Sequence, residues 1–178
     1  AQNCLLKTLE EPPEFVTIIL IGSNENAFLT TIKSRCMIIR FNSVDNKTMT
    51  EYLQSQGIEN VTENMLELFQ GSIGKAIELK DKQEEYLKIE KMIENISNYD
   101  LIDVTKNAEI LYQTKEEIME MLDYINIVLL RLSRNNTKYT NCIKIVENTK
   151  KRLKQNANYD MCIDNLLFNM WEEIVWKI

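Results

Sequence analysis

The sequence predicts a mainly α-helical protein that carries a remnant of an α/β sheet at its N-terminus. Three observations support this. Both prolines and all four glycines lie within the first 74 residues, so the strongest helix breakers are absent from Lys75 to Ile178. In that second half, apolar residues recur at steps of three and four, which lines them along one helix face. The first 43 residues instead hold two short apolar runs, Phe15 to Ile21 and Met37 to Phe41, of the kind that forms strands buried on both faces.

The elements follow in chain order. Ala1 to Glu11 carries Leu5, Leu6 and Leu9 at helical spacing and stops at Pro12-Pro13. A strand is expected over Phe15–Ile21, ended by Gly22-Ser23-Asn24, then a short helical turn over Ala27–Ile32 and a second strand over Met37–Phe41. Two strands cannot make an independent sheet, and the chain opens inside a helical pattern without an initiator methionine. It therefore reads as part of a longer protein. Asp45 caps a helix closed by Gly57, and Thr62 precedes a second helix that ends at Gly71. A third helix is expected to run from near Ser72 towards Ile96, and the three make a small bundle. Polar connectors at Ser97–Asp100 and Asn135–Thr137 divide the remainder. One stripe there runs Ile118, Met121, Leu122, Ile125, Val128, Leu129, Leu132. The clearest runs Ile163, Leu166, Leu167, Met170, Trp171, Ile174, Val175, Ile178.

Composition removes several function classes. No run of eighteen apolar residues exists, and the N-terminus has no basic, apolar export signal, so a cytoplasmic protein with no membrane partner is expected. The net charge of −6 argues against broad non-specific binding to nucleic acid. Residues 1–43 carry four acids and four bases, 44–97 eleven and six, and 98–178 twelve and eleven, so the acidic excess lies in the middle. There is no histidine, and Cys4, Cys36, Cys142 and Cys162 have no metal-type spacing. Zinc ligation through Cys/His and histidine acid–base catalysis are excluded, and the cysteines read as buried, reduced fillers. The run Lys150-Lys151-Arg152-Leu153-Lys154 reads as an exposed helix face, while Trp171 and Trp176 read as core and interface anchors.

The sharpest chemical feature is Ser34-Arg35-Cys36, between the two apolar runs. An arginine at an element end can project its guanidinium outward, and that always-charged planar fork suits negative charge developing on a transferring phosphoryl group. The plainer alternative is a structural arginine paired with a nearby acid. Glu10 and Glu11, at a helix end, are not spaced as a catalytic pair.

Gln2-Asn3-Cys4-Leu5-Leu6-Lys7-Thr8-Leu9-Glu10-Glu11-Pro12-Pro13, followed by an apolar strand and Thr31-Ile32-Lys33-Ser34-Arg35-Cys36, resembles the clamp-loader branch of AAA+ proteins. That branch includes the bacterial DNA polymerase III gamma/tau and delta prime subunits and the small subunits of eukaryotic replication factor C. The resemblance implies the C-terminal part of an AAA+ α/β domain over 1–43, a helical lid over 44–97 and a helical collar over 98–178. It implies that Arg35 is an arginine finger acting in trans, with Ser34 and Cys36 shaping its turn. Ser23, eleven residues before Ser34, falls at the sensor-1 position. The second sensor, Gly-x-x-Arg-x-Ala, meets Gly71-Ser72-Ile73-Gly74-Lys75-Ala76, with Gly74 in place of the arginine. Lys75 points about 100° further round a helix. A finger without a working self-site resembles the delta prime type, which completes a neighbour's ATPase site without hydrolysing ATP. The implied cofactor is ATP with magnesium in that neighbour, with none bound by this chain. The implied partners are gamma/tau and delta subunits, with sliding clamp and primer-template DNA reached through the complex. Two alternatives stay open: a catalytic gamma/tau-type ATPase subunit, and a non-catalytic helical oligomerisation scaffold.

Overall fold

Four helices begin where a short polar side chain takes up an otherwise unpaired backbone N–H. Asp45 accepts from the amide of Thr48 at 3.0 Å, Thr62 from Met65 at 3.3 Å, Asp100 from Asp103 at 2.8 Å and Asn158 from Met161 at 3.0 Å. Asp103 returns the bond to the Asp100 amide, completing a capping box. The structure, a computed structural model, describes residues 2–78 and 80–176. The chain divides into two units, Ala1–Asn42 and Ser43–Ile178.

In the first unit, α1 spans Gln2–Glu10 and α2 spans Thr30–Lys33, with a 3₁₀ turn over Glu25–Ala27 between them. Gln2 ties α1 to the segment before α2. Its Nε2 donates to the Ala27 carbonyl at 2.7 Å and its Oε1 accepts from the Leu29 amide at 3.0 Å. Among the described residues no strand forms, so the two strands expected over 15–21 and 37–41 are absent as strands. A strand needs a neighbour for its N–H and C=O groups, and these two runs find none within the unit. Most of their side chains are correspondingly bare, Phe15 and Ile21 each 91% exposed and Phe41 92%, while Ile18 and Leu20 are half-buried. Ile32 is the one buried apolar side chain described in this unit.

Among the described residues the regular structure of the second unit is all helical: α3 (Asn46–Ser55), α4 (Glu63–Phe69), α5 (Ile73–Glu78), α6 (Gln83–Asn95), α7 (Leu101–Asn107), α8 (Glu109–Gln113), α9 (Ile118–Ser133), α10 (Lys138–Lys154) and α11 (Tyr159–Val175). The single helix expected from Ser72 to Ile96 is instead two, α5 and α6, joined through a 3₁₀ turn at Lys80–Lys82; Leu79 lies outside the described residues. The polar Lys80-Asp81-Lys82 has no apolar face to bury, and Gln83 donates to the Glu59 carbonyl where α6 begins. Gly71 is required by its backbone: its φ is +74°, and a Cβ there would lie 2.4 Å from the Ser43 Cβ and 2.7 Å from the Val44 backbone.

Helix α9 is the axis of this unit. Met121, Leu122, Tyr124, Ile125, Val128 and Leu129 are wholly buried, packed between α4 and α6 on one side and α10 on the other. Short connectors at 134–137 and 155–158 fold α10 back on α9 and α11 back on α10. The apolar core runs without interruption from Met49 to Ile174. The expected α11 stripe is buried from Ile163 through Ile174, Val175 is at the margin, and Ile178 lies outside the described residues. Trp171 packs in this core and donates its indole N–H to the Tyr99 carbonyl at 2.7 Å, whereas Trp176 is exposed.

Among the described residues two acidic side chains are buried in this unit, Glu90 and Glu173. The Glu90 carboxylate accepts from Asn64 Nδ2 at 2.5 Å, Tyr124 Oη at 2.6 Å and Thr62 Oγ1 at 3.3 Å. Arg131 Nη2 lies 3.1 Å from it and also pairs with Glu94. Burial, then the hydrogen bond to Glu90, holds the Tyr124 phenol well above its ordinary range. The ring of Tyr86 meets that of Tyr124 edge-on at 4.8 Å.

Candidate functional site

The turn that presents Arg35 is built by the end of α2. Ile32 is buried and pins the helix, while the amides of Ser34, Arg35 and Cys36 close on the carbonyls of Thr30, Ile32 and Lys33 at 3.0, 3.0 and 3.4 Å. Ser34 caps the helix, its hydroxyl donating to the Thr31 carbonyl at 3.0 Å. Beyond it the Arg35 side chain folds back. Nη1 donates to the Thr31 carbonyl at 2.9 Å and lies 3.5 Å from Ser34 Oγ, which places the guanidinium on its own helical turn.

The other end of the fork meets a carboxylate: Arg35 Nη2 is 2.5 Å from Glu10 Oε1. The Arg35 side chain is 34% exposed and that of Glu10 50%, so the pair faces solvent. Spacing in the sequence gave no sign of this partner, which lies 25 residues away in the last turn of α1. The available signal was electrostatic. Acids at a helix C-terminus oppose the helix dipole and call for a cation nearby.

Ser23 and Cys36 come together, on the lining of a cleft of about 450 Å³ shared with Phe28, Lys33, Ile39 and Arg40. Arg35 is not part of that lining. Ser23 is exposed and Cys36 half-buried. Arg40 pairs with Glu25 at 2.8 Å, and this hydrogen bond and charge hold the Glu25 carboxyl below its usual range.

Gly74 lies in the second unit, within α5, where its backbone has ordinary helical geometry. A Cβ there would meet nothing nearer than Ser72 Oγ at 3.9 Å, so neither backbone nor packing requires a glycine. Cys142 and Cys162 are buried as expected, but Cys4 is exposed on α1. In the basic run, Lys150 is engaged by Asp123 at 2.5 Å and Glu147 at 2.8 Å, while Lys151, Arg152 and Lys154 are exposed. Among the described residues no cluster of acidic or cysteine side chains is arranged to hold a metal ion, and no helix is long and apolar enough to cross a membrane.

Comparison with known proteins gives three findings. A family described as DNA polymerase III, delta subunit, matches residues 1–45. The chain is 22% identical to the DNA polymerase III subunit gamma of Buchnera aphidicola subsp. Schizaphis graminum over an alignment of 225 residues, which covers 97% of this chain and 62% of that protein. It is 39% identical over 51 residues to the DNA polymerase III subunit tau/gamma of Haemophilus influenzae, covering 29% of this chain and 7% of that one. The chain thus spans under two thirds of the length of these relatives. No solved structure matches it.

Proposed function

We propose that this chain, a relative of the clamp-loader subunits of DNA polymerase III, is the C-terminal portion of a delta prime subunit that supplies Arg35 in trans to a neighbour's ATP site. The observation that carries the reading is the placement of Arg35. It stands on a turn pinned by Ile32, partly exposed, with one end of its fork on backbone and the other already on an anion. A partly exposed guanidinium on a fixed turn is able to meet a phosphoryl oxygen from outside its own subunit, whereas its pairing with Glu10 is equally what the plainer structural-arginine alternative expects. Gly74 adds support, since nothing in α5 prevents a larger residue there and yet no arginine is present to serve a nucleotide in the same subunit.

In this reading the neighbour binds ATP and magnesium, and the complex brings gamma/tau and delta subunits, sliding clamp and primer-template DNA together in the cytoplasm. Residues 44–97 serve as lid and 98–178 as collar. The bare apolar runs at 15–21 and 37–41 fit a sheet whose other strands lie outside these residues. As the γ-phosphoryl group transfers, the Arg35 guanidinium would neutralise charge on its oxygens. Groups of this kind are worth on the order of 10³ or more in rate.

A second reading, a catalytic gamma/tau-type ATPase subunit, is favoured by the names of both curated relatives. Arg35→Ala in a reconstituted clamp loader tests the common element. The expected result is loss of hydrolysis at one ATP site while the variant subunit still assembles. Unchanged turnover and unchanged clamp loading would refute it. Replacing a phosphate-loop lysine in the full-length subunit separates the two readings: a gamma/tau-type subunit loses a site, a delta prime subunit does not.

A further inference from the structure

We propose that Glu10 is the internal counter-ion of Arg35, an anion that holds the donor a phosphoryl oxygen must take and that is exchanged for it when the subunits engage. The proposal rests on the reading of Arg35 as a residue that acts in trans. Nη1 is committed to the Thr31 carbonyl, which shares the α2 turn and moves with Arg35. Nη2 is committed to Glu10, which belongs to a different helix, α1, and whose half-exposed side chain has room to rotate away. A carboxylate and a phosphoryl oxygen are acceptors of the same kind for a guanidinium edge, so Glu10 stands where the incoming anion would bind. Both side chains are partly exposed, so the contact is screened and weak enough to break.

The position of Glu10 supports a role beyond helix stability. It lies in the last turn of α1, where the dipole disfavours negative charge. Its carboxylate gains nothing from the helix and is compensated by Arg35. As a positioning residue it should act on the strength of engagement more than on the chemical step. With Glu10 present, docking of the nucleotide against Arg35 must first break the ion pair and then tolerate a carboxylate beside the phosphoryl oxygens.

The test is the steady-state ATPase of a reconstituted clamp loader with wild-type, Glu10→Gln and Arg35→Ala forms of this subunit. Glutamine keeps the length and the hydrogen-bonding capacity and removes the charge. The expected result is an apparent KM for ATP lowered by up to about fivefold in Glu10→Gln, the scale of an exposed ion pair, exceeding any change in kcat. Arg35→Ala should lower kcat. If Arg35→Ala lowers kcat and Glu10→Gln matches the wild type, the counter-ion proposal falls and the trans reading of Arg35 survives. If Glu10→Gln loses kcat as Arg35→Ala does, Glu10 is needed during the reaction and the proposal also falls. If Arg35→Ala matches the wild type, both are overturned. Equal melting temperatures of the three chains establish that folded proteins are being compared.

Discussion

Removing the Glu90 carboxylate should be among the most damaging single changes in residues 43–176. The side chain is 7% exposed and accepts from Asn64, Tyr124 and Thr62, with Arg131 alongside. Glu90→Ala would take the acceptor from the Asn64 amide and from the Tyr124 hydroxyl inside the core, leaving the latter its 3.4 Å contact with Thr62 Oγ1, and would remove one of the two acids facing Arg131. Each buried polar group so stranded costs about 1–3 kcal/mol. The Arg131 contribution must be discounted, because its side chain is 40% exposed and retains Glu94. Together these give about 3–5 kcal/mol for Glu90→Ala. Tyr124→Phe removes one donor and leaves the carboxylate with the others, for about 1–2 kcal/mol. Urea unfolding followed by circular dichroism measures both, with the shift expected in the midpoint rather than the slope. Because the two groups share a bond, the double mutant should be less destabilised than the sum by about 1 kcal/mol or more. A Glu90→Ala loss below about 1 kcal/mol, or strict additivity in the cycle, would refute the claim that this carboxylate organises the contact of α4 and α6 with α9.

The glycines of the α4–α5 region should respond oppositely, as thermal melting would read. Gly71→Ala should cost at least about 2 kcal/mol, from the positive φ and the collision with the Val44 backbone, while Gly74→Ala should stabilise by about 0.5–1 kcal/mol. Equal melting points for the two variants would contradict the backbone description. Tyr112 is pushed up to about 12 by burial and by its hydrogen bond to Asp164, and Tyr159 to about 12 by burial. A phenol whose folded pKa is raised favours the folded state fully below its ordinary pKa of about 10. That stability is lost as pH climbs from about 10 towards 12. Ultraviolet difference titration should therefore show both groups ionising late or only with unfolding; normal early ionisation of all seven tyrosines would exclude this packing.

Periodicity revealed the helices with a face to bury, because a core imposes its spacing on the sequence. The α9 stripe from Ile118 to Leu129 and the α11 stripe from Ile163 to Ile174 are both interior. The break between α5 and α6 escaped because neither glycine nor proline marks it; a polar triplet without an apolar side chain, its Lys82 held by Glu117, suffices. The two apolar runs before residue 43 have strand composition, but composition cannot supply a ladder partner, and none forms among the described residues. Arg35 stood out by its setting, whereas Glu10 did not. An ion pair between two helix ends is a property of how α1 and α2 meet and leaves no spacing rule behind.

The double packing of α9 bears on which sequence changes this protein can absorb. Its neighbours come from α4 and α6 as well as from α10, so its interior face as a whole answers to more than one surface. Inserting one residue midway would swing everything after it by about 100° and misalign both surfaces together. The connectors at 134–137 and 155–158 carry no such double obligation. Length variation among homologues should therefore collect at those turns, while α9 keeps its residue count even where its side chains drift.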